Sequence, residues 1–305
     1  MAGGDRSMLG KVCLVTGATS GIGEATAREL AARGATVVVV GRSAERAAAT
    51  VARIERRTRS GTGDSEARGS EARLGVPNGT GNVVESLLAD LSSQRDVRRL
   101  AEAFTARHDR LHVLVNNAGA VFTRRRESPD GLELTFALNH LAYFLLTTLL
   151  LDTLKASAPA RVVNVSSDAH TPARLDFDDL QAERGYSGFG VYGRSKLANL
   201  LFTYELARRL EGTGVTVNAL HPGVVASRFA TNNGRLIRLL HPLARPFMIS
   251  PEQGARTVVY LATSPEVEGV TGQYFVKERP RRSSEASYDL AAAERLWQAS
   301  ADLVR

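Results

Sequence analysis

The sequence has little cysteine, little lysine and no long hydrophobic run. Its 305 residues contain one cysteine, Cys13, so no disulfide can form within the chain. Because Cys13 lies in an apolar strand pattern, we expect a buried, unreactive thiol. The nearest candidate for a membrane helix, Leu141–Leu151, falls well short of the roughly 18 residues required. Residues 1–11 lack the apolar core of a signal peptide, so we predict a cytoplasmic protein without a membrane span.

Arginine supplies almost all of the positive charge. Lysine occurs only at positions 11, 155, 196 and 277, although the formal net charge is +7. The arginines are scattered, without interleaved aromatic residues or a nucleic-acid-binding motif, so we expect no nucleic-acid partner. A mild attraction for anionic ligands is compatible with such a surface. No cluster of His, Cys, Asp and Glu has metal-ligand spacing, so we predict no metal site.

Apolar strand patterns and amphipathic helix patterns alternate along the chain. Strands are predicted at 11–17, 35–40, 83–90, 111–116, 161–166, 215–220 and 273–277, and helices at 21–33, 44–54, 92–108, 133–154, 192–211, 251–262 and 287–304. This alternation predicts an α/β fold: one domain over residues 1–305 with a doubly wound, Rossmann-type, mostly parallel sheet and helices on both faces. Residues 56–82 are rich in Gly, Ser and Arg, which indicates a flexible insertion. Residues 283–305 are predicted to form a C-terminal helical extension.

A glycine-rich turn follows the first predicted strand. Residues 16–23 read Thr-Gly-Ala-Thr-Ser-Gly-Ile-Gly and lead directly into a helix. The spacing, Gly-x-x-x-Gly-x-Gly, differs from the usual dinucleotide fingerprint. Glycines let the backbone approach a pyrophosphate, and a helix N-terminus supplies oriented N–H groups. The position between strand and helix therefore predicts a dinucleotide site.

Three further strand ends carry candidate cofactor residues. Arg42 and Ser43 follow the second strand, where enzymes selective for NAD usually place an acidic residue. A guanidinium suits the extra phosphate of NADP, so we predict NADP(H). Asp90 and Leu91 close the third strand, where a carboxylate can accept a hydrogen bond from adenine. The fourth strand ends in 116–119, Asn-Asn-Ala-Gly, whose small residues leave room for a ribose.

Tyr192 and Lys196 are four residues apart in a predicted helix, so they share one helix face. An ammonium beside a phenol favours the phenolate, and we therefore expect Lys196 to lower the Tyr192 pKa. Such a tyrosine is a general acid or base for a carbonyl or an alcohol. Ser166 and Ser167 end a strand and point in opposite directions, so only one of them can face this site.

These motifs together resemble the short-chain dehydrogenase/reductase family over about residues 10–275. The resemblance rests on the turn at 16–23, on 116–119, on Ser167, on Tyr192 with Lys196, and on Pro222-Gly223, in the family's order. Segments 161–170, 195–202, 221–225 and 295–297 resemble the retinol-dehydrogenase-like branch, of which we expect a soluble, bacterial member. The 25 residues between Ser167 and Tyr192 also favour Ser167 over Ser166, because this spacing fits the branch.

The resemblance implies a role for each matching residue. Tyr192 is expected to be the acid/base, Lys196 to lower its pKa and bind the nicotinamide ribose, Ser167 to position the substrate oxygen, and Asn139 to hold a proton-relay water. The predicted cofactor residues are Gly17, Thr19, Ser20, Gly21, Ile22, Gly23, Arg42, Ser43, Asp90, Leu91, Asn117, Ala118, Gly119, Tyr192, Lys196, Pro222, Gly223, Val225 and Ser227.

The substrate side is predicted from less regular segments. Residues 226–250 mix apolar residues with arginine and resemble the family's variable substrate lid, which suits a bulky, largely apolar substrate. Residues 168–189 are expected to wall the pocket. His170 is open between a substrate contact and a structural hydrogen bond.

The predicted function is NADP(H)-dependent hydride transfer between nicotinamide and a carbonyl or alcohol of a small molecule. Two alternatives stay open. In the first, a protein of the same fold reduces C=C bonds or epimerises its substrate through a transient ketone; product stereochemistry and net cofactor consumption distinguish these reactions. In the second, the protein is a non-enzymatic NADP-binding regulator, which would bind NADPH without turnover. A homodimer or homotetramer is compatible with helices that begin near Asp130 and Gly190, unless the extension carrying Trp297 covers that surface.

Overall fold

The computed structural model describes residues 5–60, 83–225 and 248–305. Its first half contains β1 (Val12–Thr16), α1 (Gly21–Ala32), β2 (Thr36–Gly41), α2 (Ala44–Ser60), β3 (Val84–Leu88), α3 (Gln94–Thr105) and β4 (Val113–Asn116). The second half contains α4 (Leu134–Phe136), a π-helical turn (Ala137–Leu141), α5 (Ala142–Leu149), α6 (Leu151–Ala156), β5 (Ala160–Val165), α7 (Gly188–Arg209), β6 (Val215–His221), α8 (Pro251–Thr263), β7 (Tyr274–Val276), β8 (Arg279–Pro280) and α9 (Leu290–Leu303). Short 3₁₀ turns occur at Asp168–His170, Pro265–Val267 and Glu285–Tyr288.

The described strands form one sheet of eight in the order β3-β2-β1-β4-β5-β6-β7-β8. Seven strands are parallel, and only β8 runs antiparallel to its neighbour β7. The strand order reverses between β1 and β4, which pair in register from Cys13↔Val113 to Val15↔Val115. A crevice at the carboxyl ends of these two strands is where such sheets bind ligands. The predicted fold class is confirmed.

The two faces of the sheet bury separate apolar cores. Because neighbouring strand residues point to opposite faces, Cys13 packs with α1 and α8, whereas Leu14 packs with α3, α5 and α7. Cys13 is fully buried, and burial raises the pKa of its thiol to about 12. The expectation of a buried, unreactive cysteine is therefore confirmed.

Several predicted boundaries were wrong. Residues 56–60 belong to the last turns of α2 and not to a flexible insertion, because α2 continues to Ser60. The remainder of that insertion, 61–82, lies outside the described residues. The helix predicted at 133–154 is broken into three α-helices by the π-helical turn and by Leu150. The C-terminal helix begins only at Leu290, where Asp289 caps it by accepting from Ala292 N.

Helix α9 lies along α7 and covers part of its outer face. Trp297 stacks with Phe202 at a ring distance of 6.0 Å and meets Phe144 edge-on at 5.0 Å. The Arg209 guanidinium lies 4.2 Å from the centre of the Trp297 ring. The C-terminal extension is thus an integral part of the core on this side of the sheet.

Candidate active site

The turn after β1 packs tightly against the end of β4. Gly17 and Gly21 have positive φ angles of +64° and +58°, a conformation that favours glycine. A Cβ at Gly23 would lie 2.5 Å from Asn117 Nδ2 and 2.6 Å from Gly17 O, so no larger residue fits there. Asn117 completes the contact by donating from Nδ2 to Thr16 O at 2.8 Å. The glycines therefore let α1 begin directly beside β4.

The N-terminus of α1 has no side-chain cap. Ser20 occupies the N-cap position in an extended conformation but makes no capping hydrogen bond from its side chain. By contrast, Ser93, Ser187 and Ser250 cap α3, α7 and α8 through their side chains. Since the first N–H groups of a helix lack intrahelical partners, the start of α1 offers oriented donors to an anion. This arrangement fits the pyrophosphate of a dinucleotide.

The carboxyl end of β2 lies beside the glycine-rich turn. A Cβ at Gly41 would lie 2.3 Å from Thr19 Cγ2, which shows how closely the two segments approach. Arg42 is exposed, and its guanidinium makes no ion pair with any residue that the structure describes. Ser43 Oγ accepts from Arg46 N at 3.3 Å and caps α2, as its position predicts. Arg42 is therefore available to a phosphate bound next to the turn.

Asp90 and Leu91 follow β3 on the far side of β2. Asp90 Oδ1 accepts from both the backbone N and the Oγ of Ser92, at 3.1 and 2.8 Å. Leu91 is buried against the core. One oxygen of Asp90 thus orders the loop, and the other has no hydrogen-bond partner within the described chain.

Thr16 is a structural member of the site that the motifs did not single out as a functional residue. Its Oγ1 donates to Val115 O at 3.1 Å and accepts from the backbone N of Asn117 at 2.8 Å and of Ala118 at 3.1 Å. It therefore fastens the end of β4 to the end of β1. The signal available in the sequence was a threonine closing a valine-rich strand immediately before a glycine.

Asn139 lies in the π-helical turn, and its side chain is held by protein groups. Its Nδ2 donates to Ala120 O at 2.9 Å and to Ser195 Oγ at 3.0 Å, and its Oδ1 accepts from Ala120 N at 2.9 Å. A Cβ at Gly119 would lie 3.2 Å from Asn139 Oδ1 and 3.6 Å from Lys196 Nζ. Asn139 therefore lies near Lys196, and it can hold a water only through its oxygen atoms.

A chain of buried polar side chains supports the π-helical turn. Asn199 Nδ2 donates to Asn139 O at 2.9 Å, and Asn199 Oδ1 lies 3.2 Å from His140 Nδ1. His140 Nε2 lies 2.9 Å from Ser300 Oγ in α9. Burial lowers the pKa of His140 to about 4, so its ring is neutral at neutral pH. The carbonyl that the π-helical turn releases is thus satisfied by α7, and the turn is tied to the C-terminal helix.

Ser167, and not Ser166, faces the tyrosine. Ser166 is buried, and its Oγ donates to Lys196 O at 2.9 Å. Ser167 forms a side-chain hydrogen bond with Tyr192 and also caps the following 3₁₀ turn by accepting from Ala169 N at 3.3 Å. The alternation of strand residues explains the difference. Two hydroxyl groups therefore meet at the carboxyl end of β5.

Lys196 does not lower the Tyr192 pKa in this structure, so that expectation was wrong. Burial raises the pKa of Tyr192 to about 12, with a partial offset from its hydrogen bond with Ser167. Burial also lowers the pKa of Lys196 to about 7. Its Nζ donates to Val165 O at 2.8 Å and lies 5.7 Å from the centre of the Tyr192 ring. Desolvation of both groups outweighs their mutual attraction here.

His170 has a structural hydrogen-bonding role. Its Nδ1 lies 2.7 Å from Ser167 O, and its Nε2 accepts from Ser284 N at 3.1 Å. The neighbouring Asp168 accepts from Tyr274 Oη at 2.7 Å and faces the imidazole of His221 at 3.6 Å. These bonds anchor the segment after Ser167 to the C-terminal part of the chain.

The segment after β6 lies over the start of α1. Gly223 has a φ of +91°, and a Cβ there would lie 2.6 Å from Ile249 Cδ1. Val225 pairs with Ile249 in an isolated bridge. A Cβ at Gly254 would lie 2.6 Å from Val225 Cγ2 and 3.1 Å from Ile22 Cγ1, so the two segments approach at α8. Pro222 precedes this contact, whereas Ser227 and most of the predicted lid, 226–247, lie outside the described residues.

One cleft lies away from this site. A cleft of about 850 Å³ opens at the amino ends of β5 and β6, between Arg161, Glu205 and Tyr288, on the opposite edge of the sheet. Among the described residues, no three His, Cys, Asp or Glu side chains are grouped to bind a metal ion. No helix in the described ranges is long and apolar enough to cross a membrane.

The fold and the Ser167–Tyr192–Lys196 arrangement define a nicotinamide-dependent oxidoreductase of the α/β class. The family model of short chain dehydrogenases matches residues 11–68 and 62–235. The chain belongs to this family, as its motifs predicted, and thus acts on a CH–OH or C=O group with a nicotinamide cofactor.

Relatives and solved structures agree with this assignment. Retinol dehydrogenase 12 of Mus musculus is 44% identical over 295 residues, covering 97% of this chain and 86% of the relative. An uncharacterised protein from Mycobacterium paratuberculosis has a TM-score of 0.73 at 31% identity, over 97% of this chain and 94% of that one. The Pseudomonas aeruginosa RhlG/NADP complex has a TM-score of 0.65 at 29% identity, over 89% and 96% of the two chains. The resemblance to the retinol-dehydrogenase-like branch is confirmed.

Proposed function

We propose that this protein interconverts carbonyl and alcohol groups of bulky, largely apolar substrates with NADP(H), in the cytoplasm. The observation that carries the proposal is the meeting of Ser167 and Tyr192 at the end of β5, with Lys196 one helical turn further along α7. When bound, the nicotinamide cofactor supplies or accepts the hydride. The residues of this chain supply the proton and hold the reacting oxygen.

Tyr192 is assigned as the proton donor during reduction. Because burial raises its pKa to about 12, the hydroxyl is protonated at neutral pH, which is the form that reduction requires. Ser167 donates a second hydrogen bond to the same carbonyl oxygen and so fixes its position beside Tyr192. Burial lowers the pKa of Lys196 to about 7, so only part of the lysine is protonated near neutral pH. Lys196 therefore loses its proton more readily than an exposed lysine does.

Residues at three strand ends are assigned to NADP(H). The uncapped N-terminus of α1 fits the pyrophosphate, and exposed Arg42 fits the phosphate that distinguishes NADP from NAD. Gly119 has no side chain that would come between Lys196 Nζ and a sugar bound beside it, since a Cβ there would lie 3.6 Å from Nζ. The NADP in the related RhlG complex supports the same choice.

Exposed apolar residues beside the site support an apolar substrate. Phe189 is 71% exposed and lies three residues before Tyr192, on the same face of α7. Val224 is 64% exposed and follows β6, at the same edge of the sheet. A bulky apolar substrate bound at this edge of the sheet would cover apolar surface of both side chains. The name of the relative, retinol dehydrogenase 12, is compatible with a substrate of this class.

A substrate panel tests the proposal. Purified protein is mixed with NADPH and aldehydes and ketones of increasing apolar size, including retinal, and NADPH oxidation is followed by absorbance. We expect turnover with large apolar members, and a loss of at least about 100-fold in Tyr192→Phe, because the proton donor is removed. Product analysis must show one alcohol per NADPH consumed. Full activity in Tyr192→Phe, or no turnover with any member, contradicts the proposal.

A further inference from the structure

A second buried tyrosine, Tyr143, borders the candidate catalytic lysine. It lies in α5, four residues after Asn139 and therefore on the same side of the helix. Lys196 Nζ is 5.6 Å from the centre of the Tyr143 ring and 5.7 Å from the centre of the Tyr192 ring. The ammonium group is thus in contact range of two tyrosine rings, only one of which has a role in the proposed reaction.

The hydroxyl of Tyr143 has no hydrogen-bond partner among the described residues, although the residue is only 1% exposed. Leaving a buried hydroxyl without a partner has a cost in stability, and buried tyrosines usually find a partner. Two other tyrosines of this protein do so: Tyr274 Oη donates to Asp168 at 2.7 Å, and Tyr204 Oη lies 2.6 Å from Ser283 Oγ. A phenylalanine at position 143 would fill the same space without this cost.

The surroundings of Tyr143 indicate what its hydroxyl binds. Lys196 has three N–H donors and uses one on Val165 O, so two remain for a ligand. Burial raises the pKa of Tyr143, and the negative charge of a phenolate at Tyr192 would add to this effect. A Cβ at Gly119 would lie 3.6 Å from Lys196 Nζ, so the backbone of Gly119 passes close to the ammonium without a side chain to cover it. A small polar group that enters beside the ammonium therefore lies near the Tyr143 hydroxyl.

We propose that Tyr143 Oη binds a neutral hydroxyl group that enters the site beside Lys196, and that this contact positions the group for the reaction at Tyr192. The inference deepens the proposed function and rests on it. Two sources offer the required chemistry, a sugar hydroxyl of the bound cofactor and an ordered water. Tyr143 is a positioning residue in this scheme and transfers no proton to the substrate.

The test compares Tyr143→Phe with Tyr204→Phe. Both substitutions remove one buried hydroxyl and keep the ring, but Tyr204 pairs with Ser283, away from Lys196. If a cofactor sugar is the ligand, we expect the dissociation constant for NADPH to rise at least fivefold in Tyr143→Phe. If a water is the ligand, NADPH affinity stays unchanged while kcat falls at least fivefold and the solvent isotope effect and the pH profile of kcat change. Tyr204→Phe should alter none of these quantities.

Thermal unfolding separates a structural role from a functional one. Under the proposal, ligand-free Tyr143→Phe melts at the same or a higher temperature than the unmodified protein, because the substitution removes an unsatisfied group. Unchanged NADPH affinity, kcat and pH profile in Tyr143→Phe would show that only the ring matters and would overturn the inference.

A failure of the proposed function is recognised separately. If the unmodified protein turns over no member of the panel, the proposed function fails, and a crystal structure with NADP⁺ then decides the role of Tyr143. A sugar or water oxygen about 3 Å from Tyr143 Oη and next to Lys196 supports the inference. A Tyr143 hydroxyl that contacts neither, in clear density, overturns it.

Discussion

Lys196 and Tyr192 lie side by side on α7, where the lysine Nζ donates to Val165 O at 2.8 Å and lies 5.7 Å from the centre of the tyrosine ring. Both groups are desolvated by the same packing, and desolvation disfavours the charged form of each. The lysine is therefore the more easily deprotonated of the two, with a pKa lowered by burial to about 7, while burial raises that of Tyr192 to about 12. The ligand-free site is consequently a proton donor at neutral pH.

The depressed Lys196 pKa predicts a pH-dependent stability. An unfolded lysine titrates near pH 10.4, so above about pH 7 the unfolded chain binds more protons at this position than the folded chain does. The free energy of unfolding should therefore rise with pH from this group, by up to about 1.4 kcal/mol per unit. Urea unfolding between pH 7.0 and 8.5 measures the slope, which should be smaller in Lys196→Met.

Lys155→Met is the control for that experiment, because Lys155 is exposed. Its slope should match that of the unmodified protein. Near pH 8.5 Cys13 begins to oppose the effect, because its thiol loses a proton from about pH 8 upward in the unfolded chain but burial keeps it protonated in the folded chain. This contribution is the same in all three proteins, so it does not affect their comparison. Equal slopes in all three proteins would contradict a depressed Lys196 pKa.

The local motifs predicted much of the site from the sequence. The glycine turn at 16–23 and the pair Tyr192 and Lys196 depend on neighbouring residues, so their geometry follows from a strand end, a turn and helical spacing. The choice of Ser167 over Ser166 used the alternation of strand residues together with the family spacing. These positions lie at one edge of the sheet, as the parallel topology requires.

Long-range contacts and desolvation could not be predicted in the same way. His140 and Ser300 are 160 residues apart, and no periodic pattern relates them. The π-helical turn at Ala137–Leu141 interrupts a segment whose apolar spacing is helical throughout, so the break depends on its tertiary partners. The direction of the Tyr192 pKa was wrong because spacing reveals the neighbouring charge but not the loss of solvent.

Arg42 should determine the choice between NADPH and NADH. Loss of a charge-assisted hydrogen bond to phosphate costs about 1.5–3 kcal/mol, so Arg42→Ala should weaken NADPH binding roughly 10- to 100-fold and leave NADH binding nearly unchanged. Fluorescence titration with each cofactor measures both constants. Arg46→Ala provides the control, because Arg46 is exposed one turn further along α2. A parallel loss of NADH affinity in Arg42→Ala would argue against phosphate recognition.

Phe189 should contribute to the affinity for large apolar substrates. Its exposed ring lies one helical turn before Tyr192, and covering it with substrate is worth about 1–2 kcal/mol. Phe189→Ser should therefore raise KM several-fold for the largest aldehydes and leave KM for small aldehydes unchanged. Tyr288→Ser, at a 42% exposed aromatic residue in the opposite cleft, is the control. An equal rise in KM for small and large substrates would place Phe189 outside the substrate site.

Ser300 should influence the active site through His140. Ser300→Ala removes the partner of a buried imidazole nitrogen, which costs about 1–3 kcal/mol of stability. Because His140 and Asn139 both bind Asn199, we also expect kcat to fall several-fold with little change in KM. Chemical denaturation and steady-state kinetics measure the two effects. Ser300→Thr keeps a hydroxyl and should restore most of kcat, whereas unchanged kinetics in Ser300→Ala would limit the contact to stability.

Trp297 should stabilise the protein as a whole. Its ring packs between Phe144, Phe202 and Arg209, so Trp297→Ala leaves a cavity and should cost about 3 kcal/mol. In a chain of this size that corresponds to a fall in Tm of roughly 6–12 °C. Leu290→Ala, on the same helix but 61% exposed, should change Tm by less than about 2 °C. Equal Tm values in Trp297→Ala and the unmodified protein would contradict a core role for α9. Sedimentation of both variants shows whether uncovering α7 also promotes self-association.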